Sequence, residues 1–155
     1  MTTTTTTTTT QPQSVQHWHM SCKSNVRTSV SMDLMSILMP RLTLIFVSTK
    51  VEAEGVSSAL ASASASNAKV SNNNAVVRVL HGDMVQNSRS RTMALVRAAA
   101  LNGESQVLVA TDVASRGIDL WVDLVIQFGV PRIAGKQGTF STELYTHRTG
   151  RTGRV

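Results

Sequence analysis

From residue 15 onward, short apolar runs alternate with stretches of helical spacing, a pattern that predicts an alternating order of strands and helices. Residues 15–20 read as a first strand. Residues 31–39 (SMDLMSILM) set Met32, Met35 and Met39 with Leu34 and Leu38 at three- and four-residue spacing. That spacing predicts an amphipathic helix with a methionine-lined core face, stopped by Pro40. Leu42–Val47 (LTLIFV) is short and nearly all apolar, the signature of a strand buried on both faces. Residues 52–60 return to helical character, and residues 61–74 (ASASASNAKVSNNN) are small, polar and repetitive, which predicts an exposed low-complexity connection. Residues 75–80 then read as a strand and residues 89–101 as a helix with Met93, Val96, Ala100 and Leu101 inward, stopped by Asn102 and Gly103. Residues 106–110 (QVLVA) and 123–128 (DLVIQF) are two further strands. Strands and helices alternating in this way build a doubly wound α/β fold on a parallel sheet, whose ligands sit at the carboxyl ends of the strands.

Ahead of this pattern, Thr2 to Thr10 is an unbroken threonine tract followed by Gln11, Pro12 and Gln13. It has nothing apolar to bury, so residues 1–14 are expected to form a disordered tail. The tract lacks the apolar centre of a secretory signal, and with the first arginine at Arg27 it does not read as a transit peptide. The whole chain of 155 residues has room for about one domain. Apolar runs such as residues 44–47 are far below the length that spans a membrane as a helix. A single cysteine, Cys22, forms no internal disulfide, and no His/Cys cluster has zinc spacing. The chain therefore reads as intracellular and metal-free. Fifteen Lys and Arg against nine Asp and Glu give a formal charge of +6, a mild bias towards a polyanionic partner. Each half of the chain carries +3, so such binding must come from placed residues rather than from a basic tail.

Polar clusters follow three of the expected strands: Ser48-Thr49-Lys50, His81-Gly82-Asp83 and Thr111-Asp112, the last with residues 115–119 close behind. Each alone is ordinary turn chemistry, but a parallel sheet would bring all three to one edge. The end of the chain is more specific. Residues 145–154 (YTHRTGRTGR) repeat Arg148, Arg151 and Arg154 at three-residue intervals, predicting one arginine-bearing helical face, with glycines before the last two. A guanidinium fork matches phosphate oxygens, stays charged at any biological pH and can stabilise charge on a transferred phosphoryl group. Two glycines within five residues are poor choices for a helix whose only task is stability. No phosphate cradle accompanies these arginines. The chain has no Gly-x4-Gly-Lys-Ser/Thr run, because Gly135-Lys136 is followed by Gln137 with Val130 in the first-glycine position. ATP would not be held by this chain unaided. His81 and His147 lack a Gly-x-Ser-x-Gly context, which removes a serine-hydrolase reading. Trp18 and Trp121 read as packing residues rather than base-stacking platforms.

In this order the segments resemble the second, RecA-like domain of DEAD-box ATP-dependent RNA helicases, over residues 15–155. LIFVSTK (44–50) is similar to motif IV, LHGDMVQNSR (80–89) to motif IVa, VLVATDVASRGID (107–119) to motif V, and YTHRTGRTGR (145–154) to motif VI. DLVIQ (123–127) further resembles the nucleolar Gu-type subgroup, which keeps the nucleus and nucleolus among possible compartments.

The resemblance implies an RNA-stimulated ATPase in which Arg151 and Arg154 act as arginine fingers on ATP bound to another domain. His147 and Arg148 would couple that site to the first domain, Arg148 counting among the nucleotide-binding residues, and Asp119 would bind the ribose. Thr49, Gly82, Gln86, Arg89, Thr111 and Arg116 would contact the RNA sugar-phosphate backbone, independently of sequence and sensitively to salt. The glycine at Gly82 would allow a close backbone approach. The family's first domain, which would hold Mg2+ with the ATP, has no counterpart here, so the chain is expected to be inactive alone. It also stops at Val155, where the family continues into another strand and helix of the same domain. A stand-alone RNA-binding or interaction module, and an inactive truncated product, are the rival readings.

Overall fold

The computed structural model describes residues 16–66, 75–115, 120, 122–132 and 139–152. Among these, four strands, β1 (Leu42–Val47), β2 (Val76–Leu80), β3 (Gln106–Thr111) and β4 (Leu124–Gln127), form one sheet in the order β2-β3-β1-β4, with every pairing parallel. Five α-helices accompany them: α1 (Arg27–Leu38), α2 (Lys50–Ser66), α3 (Gln86–Leu101), α4 (Asp112–Ser115) and α5 (Thr142–Thr149). The register runs straight across the sheet. Phe46 stands beside Ala110 on β3 and Gln127 on β4, and Ala110 beside Leu80 on β2.

Parallel strands need crossovers that cover both faces, so the central strands are apolar at consecutive positions. All six residues of β1 and of β3 are buried. Their alternation feeds two cores. On one face Leu42, Leu44, Phe46, Leu108 and Ala110 pack with Leu80, Val122 and Val96 of α3. On the other, Ile45, Val47, Val107 and Val109 pack with Phe128 and with Ala53, Val56 and Leu60 of α2, joined by Met32 and Met35 of α1. Asp123 ties the start of β1 to the start of β4, its carboxylate accepting from the Arg41 and Leu42 N–H groups at 2.9 Å each.

The helix ends follow local chemistry. Met39 closes α1 in the left-handed region at φ 46°, donating its N–H to the Met35 carbonyl at 2.9 Å just before Pro40. At the end of α3, Gly103 has φ +75°, where a Cβ would be strained. Its N–H donates to Ala100 O and that of Glu104 to Ala99 O, satisfying carbonyls the helix leaves open.

Several expectations change. Residues 16–20 adopt no regular structure, so the first strand is not formed there, and Trp18 is 70% exposed rather than packed. β2 begins one residue later than expected, β4 lacks the residue expected at each end, and β3 gains Thr111. The helix α2 continues through residues 61–66, because alternating Ala and Ser are compatible with helix once Leu60 is anchored in the core. Leu38, Met39 and Leu101 face solvent at the carboxyl ends of α1 and α3. Ala99 takes the buried place expected of Leu101. The tail at residues 1–14 lies outside the described residues.

Candidate nucleotide and RNA interface

All four strands end on the same edge of the sheet, and the segments leaving them are tied together by side chains from both faces. The tie begins at Arg148, which is 3% exposed. Its Nε donates to Asp112 Oδ1 at 2.6 Å and its Nη2 to Asp112 Oδ2 at 2.8 Å, a two-pronged pairing across the start of α4. Nη1 reaches Gln127 Oε1 at 3.3 Å and the Gly129 carbonyl at 3.4 Å. The guanidinium also lies 5.1 Å from the Phe46 ring centroid, a cation–π geometry. One side chain thus joins the ends of β1, β3 and β4 to α5.

The sequence sets up α5 locally. Ser141 Oγ accepts from the Leu144 N–H at 3.2 Å, Glu143 lies in the first turn, and His147 and Arg148 lie in the last, each favourable to the helix dipole. The helix stops at Thr149, with the Gly150 N–H donating to Thr146 O at 2.8 Å. The expected single arginine face is therefore interrupted. Arg148 is helical, whereas Arg151, half-buried, sits in the following turn with its N–H on the Arg148 carbonyl at 3.3 Å. His147 is exposed. Arg154, Asp119, Arg116 and Trp121 lie outside the described residues. The connection to α5 is closed by a bridge between Arg132 and Phe140 and by the Ser141 N–H on Pro131 O at 2.9 Å. At the other end, His17 Nδ1 shares a hydrogen bond of 3.1 Å with the Tyr145 hydroxyl.

On the β2 side of the edge, Thr49 Oγ1 accepts from the Glu52 N–H at 3.1 Å, and Glu52 Oε2 accepts from the Ser48 N–H at 2.9 Å, so the residues after β1 cap α2. Lys50 reaches across the end of β3 to Asp83 at 2.7 Å. The hydrogen bond from Lys50, and then its charge, hold the Asp83 carboxyl below its ordinary range, while the same contact raises the Lys50 ammonium. The carboxylate's contribution is present above its ordinary range and is lost as pH falls through the lowered value. Both groups are exposed, so salt screens the pair. His81 Nε2 lies 3.5 Å from Glu54 Oε1.

Gly82 is exposed, and a Cβ built on it would meet only ordinary contact, 3.5 Å from Val113 Cγ1. Nothing inside the described domain requires a glycine there. Gln86 is exposed at the first position of α3, Arg89 is half-buried one turn on, and Thr111 is buried at the end of β3. Thr49, Gly82 and Gln86 are thus the accessible members of the expected RNA set among the described residues.

The sequence gives Asp112 no defined task. The structure makes it the counter-ion of Arg148, and a separation of 36 residues carries no periodic signal that could pair them. Phe46 and Gln127 are likewise visible in the sequence only as strand residues. Among the described residues no group of three or more His, Cys, Asp or Glu could hold a metal ion, and no helix is long and apolar enough to cross a membrane.

The family described as Helicase conserved C-terminal domain matches residues 19–155. DEAD-box ATP-dependent RNA helicase 9, mitochondrial, of Arabidopsis thaliana is 48% identical over 77 residues, 49% of this chain and 11% of that protein. DEAD-box ATP-dependent RNA helicase 53 of Oryza sativa subsp. japonica is 38% identical over 113 residues, 72% of this chain and 15% of that protein. The structure of S. cerevisiae Dbp5 bound to RNA and ADP BeF3 superposes with a TM-score of 0.63 at 29% identity, covering 85% of this chain and 30% of that one. The chain thus spans a minor part of the length of these proteins.

Proposed function

Because the chain belongs to the helicase conserved C-terminal domain family, with a RecA-like fold and DEAD-box RNA helicases as relatives, we infer that it works as the second half of an ATP-dependent RNA helicase. In this reading it supplies arginine fingers and one side of an RNA clamp, and an N-terminal RecA-like domain supplies the ATP and magnesium sites. The observation that carries the reading is the buried Arg148–Asp112 pair at the strand-end edge. It ties α5, which carries Arg148 and leads into Arg151, to the segment leaving β3, the two segments to which this reading assigns the nucleotide and part of the RNA contact.

The chemistry asked of each residue is simple. Arg151 and Arg154 would offer donors to the γ-phosphate, where negative charge redistributes as the terminal P–O bond breaks. His147 would meet the first domain, Asp119 would accept from ribose hydroxyls, and Arg148 would act from within by fixing the helix. Thr49, Gly82 and Gln86 would line the RNA backbone together with Arg89 and Arg116, with Thr111 acting from its buried place at the end of β3, and none of them would read a base. Closure of two domains over ATP and a bent RNA strand would pry short duplexes apart, and hydrolysis would restore the open state. The solved Dbp5 complex with RNA and ADP BeF3 supports this reading by analogy of fold and ligand.

The test joins the chain to the N-terminal RecA-like domain of one of its relatives and measures ATP turnover with and without RNA. RNA-stimulated turnover is expected, and Arg151→Ala should lower kcat by about 10³-fold. Turnover that is not stimulated by RNA, or that ignores Arg151→Ala, would overturn the reading.

A further inference from the structure

The charge of the chain is unevenly spread over its elements. The helix α3, sixteen residues from Gln86 to Leu101, holds Arg89, Arg91 and Arg97 and no acidic residue, and so carries half of the formal net charge of +6. By contrast α1 balances Arg27 with Asp33, and α2 sets Glu52 and Glu54 against Lys50. Arg91 and Arg97 are exposed, and neither makes a hydrogen bond or an ion pair with any described residue.

Helical geometry gives these two arginines a direction. Thr92, Met93, Val96, Ala99 and Ala100 form the inward side of α3. At 100° per residue, Arg97 returns to the flank of Gln86, eleven residues and about 16 Å beyond it. Arg91 stands on the opposite flank. Between the two lie Asn87, Ser90, Ala94 and Ala98, all exposed and small, with Leu101 at the far end of the helix. The outer face is a low, uncharged strip bordered by two guanidinium groups, starting at the strand-end edge beside the Gly82 turn. A phosphate backbone can lie close to such a strip and be met from both sides.

We propose that the outer face of α3 is a second phosphate-contact surface, on which Arg91 and Arg97 bind RNA that continues past the strand-end edge. The inference rests on the RNA reading of that edge and extends it along the helix by about 16 Å. Contacts to phosphate alone carry no sequence preference, so the surface would lengthen the footprint without altering what is recognised.

The test titrates the 155-residue chain with fluorescent polyuridine strands, one short enough to cover only the edge and one long enough to run past it, over a series of salt concentrations. Arg91→Gln combined with Arg97→Gln keeps helix propensity and removes no hydrogen bond or ion pair to a described residue, and circular dichroism checks that it folds. With the long strand this variant should bind more weakly and show a slope of log K against log salt shallower by about 1.4, two single-strand phosphate contacts. With the short strand it should match the parent. Equal slopes on the long strand, while Gly82→Ala still weakens binding, would overturn the α3 surface and leave the edge reading standing. A loss in the double variant with no effect of Gly82→Ala would do the reverse. No binding by the parent chain would overturn both.

Discussion

Arg148 is a charged group in the interior, tolerable because Asp112 takes two of its donors, Gln127 and Gly129 accept from a third nitrogen, and the Phe46 ring lies against it. The two partners are not equivalent when removed. Asp112→Ala strands a guanidinium that is 3% exposed and should destabilise the domain by about 3 kcal/mol. Arg148→Met takes the buried charge away and leaves a carboxylate 27% exposed, which water can reach, so its loss should be smaller. Urea unfolding of both variants checks the order, and a larger loss for Arg148→Met would mean that packing on Phe46 dominates the site. In the sequence Arg148 stands out as one of three evenly spaced arginines. Its inward orientation does not, because that depends on a partner 36 residues away.

At the scale of elements, the same few residues that end a strand also start a helix. Thr49 illustrates the overlap, since its hydroxyl caps α2 while it stands exposed at the edge where RNA is expected. Asp is as good a helix cap as Thr and adds a negative charge. Thr49→Asp is therefore expected to keep thermal stability within about 0.5 kcal/mol while weakening RNA affinity, whereas Thr49→Ala should lower stability by about 1 kcal/mol. A melt and an RNA titration on each variant separate the two tasks. Unchanged RNA affinity in Thr49→Asp would remove Thr49 from the RNA surface. The elements themselves are legible where one period dominates. LTLIFV reads as a buried strand, and the bounds of β1 match it. Residues 61–66 depart from expectation because alternating Ala and Ser carry no amphipathic period, so whether they continue a helix is decided by the anchored turns before them. Residues 16–20 depart for the converse reason, as a β-prone run forms a strand only if a neighbour offers it a ladder.

For the whole molecule, β1 is the joint between two cores, giving Leu42, Leu44 and Phe46 to one face and Ile45 and Val47 to the other. Damage to either face is felt through it. Ile45→Ala, at a residue with no exposed surface, should lower stability by about 3 kcal/mol. Native-state hydrogen exchange should show the amides of β1 and β3 opening only with the whole domain, and those of β2 and β4, each paired on one side among the described strands, exchanging sooner. Protection lost on the α2 face alone in Ile45→Ala would show that the two cores unfold separately.

The fold class, the position of β1 and the segments that meet at the strand-end edge are legible in one dimension, because they depend on local periods, turn residues and short motifs. The spacing of Arg148, Arg151 and Arg154 pointed to phosphate chemistry in the same way. Packing in three dimensions turns Arg148 inward to Asp112 while α5 stops before Arg151, carries Lys50 across β3 to Asp83, and leaves Arg91 and Arg97 at the borders of an open face. Each of these depends on which elements become neighbours and on how much water remains between them, and charge has no preferred direction until burial gives it one.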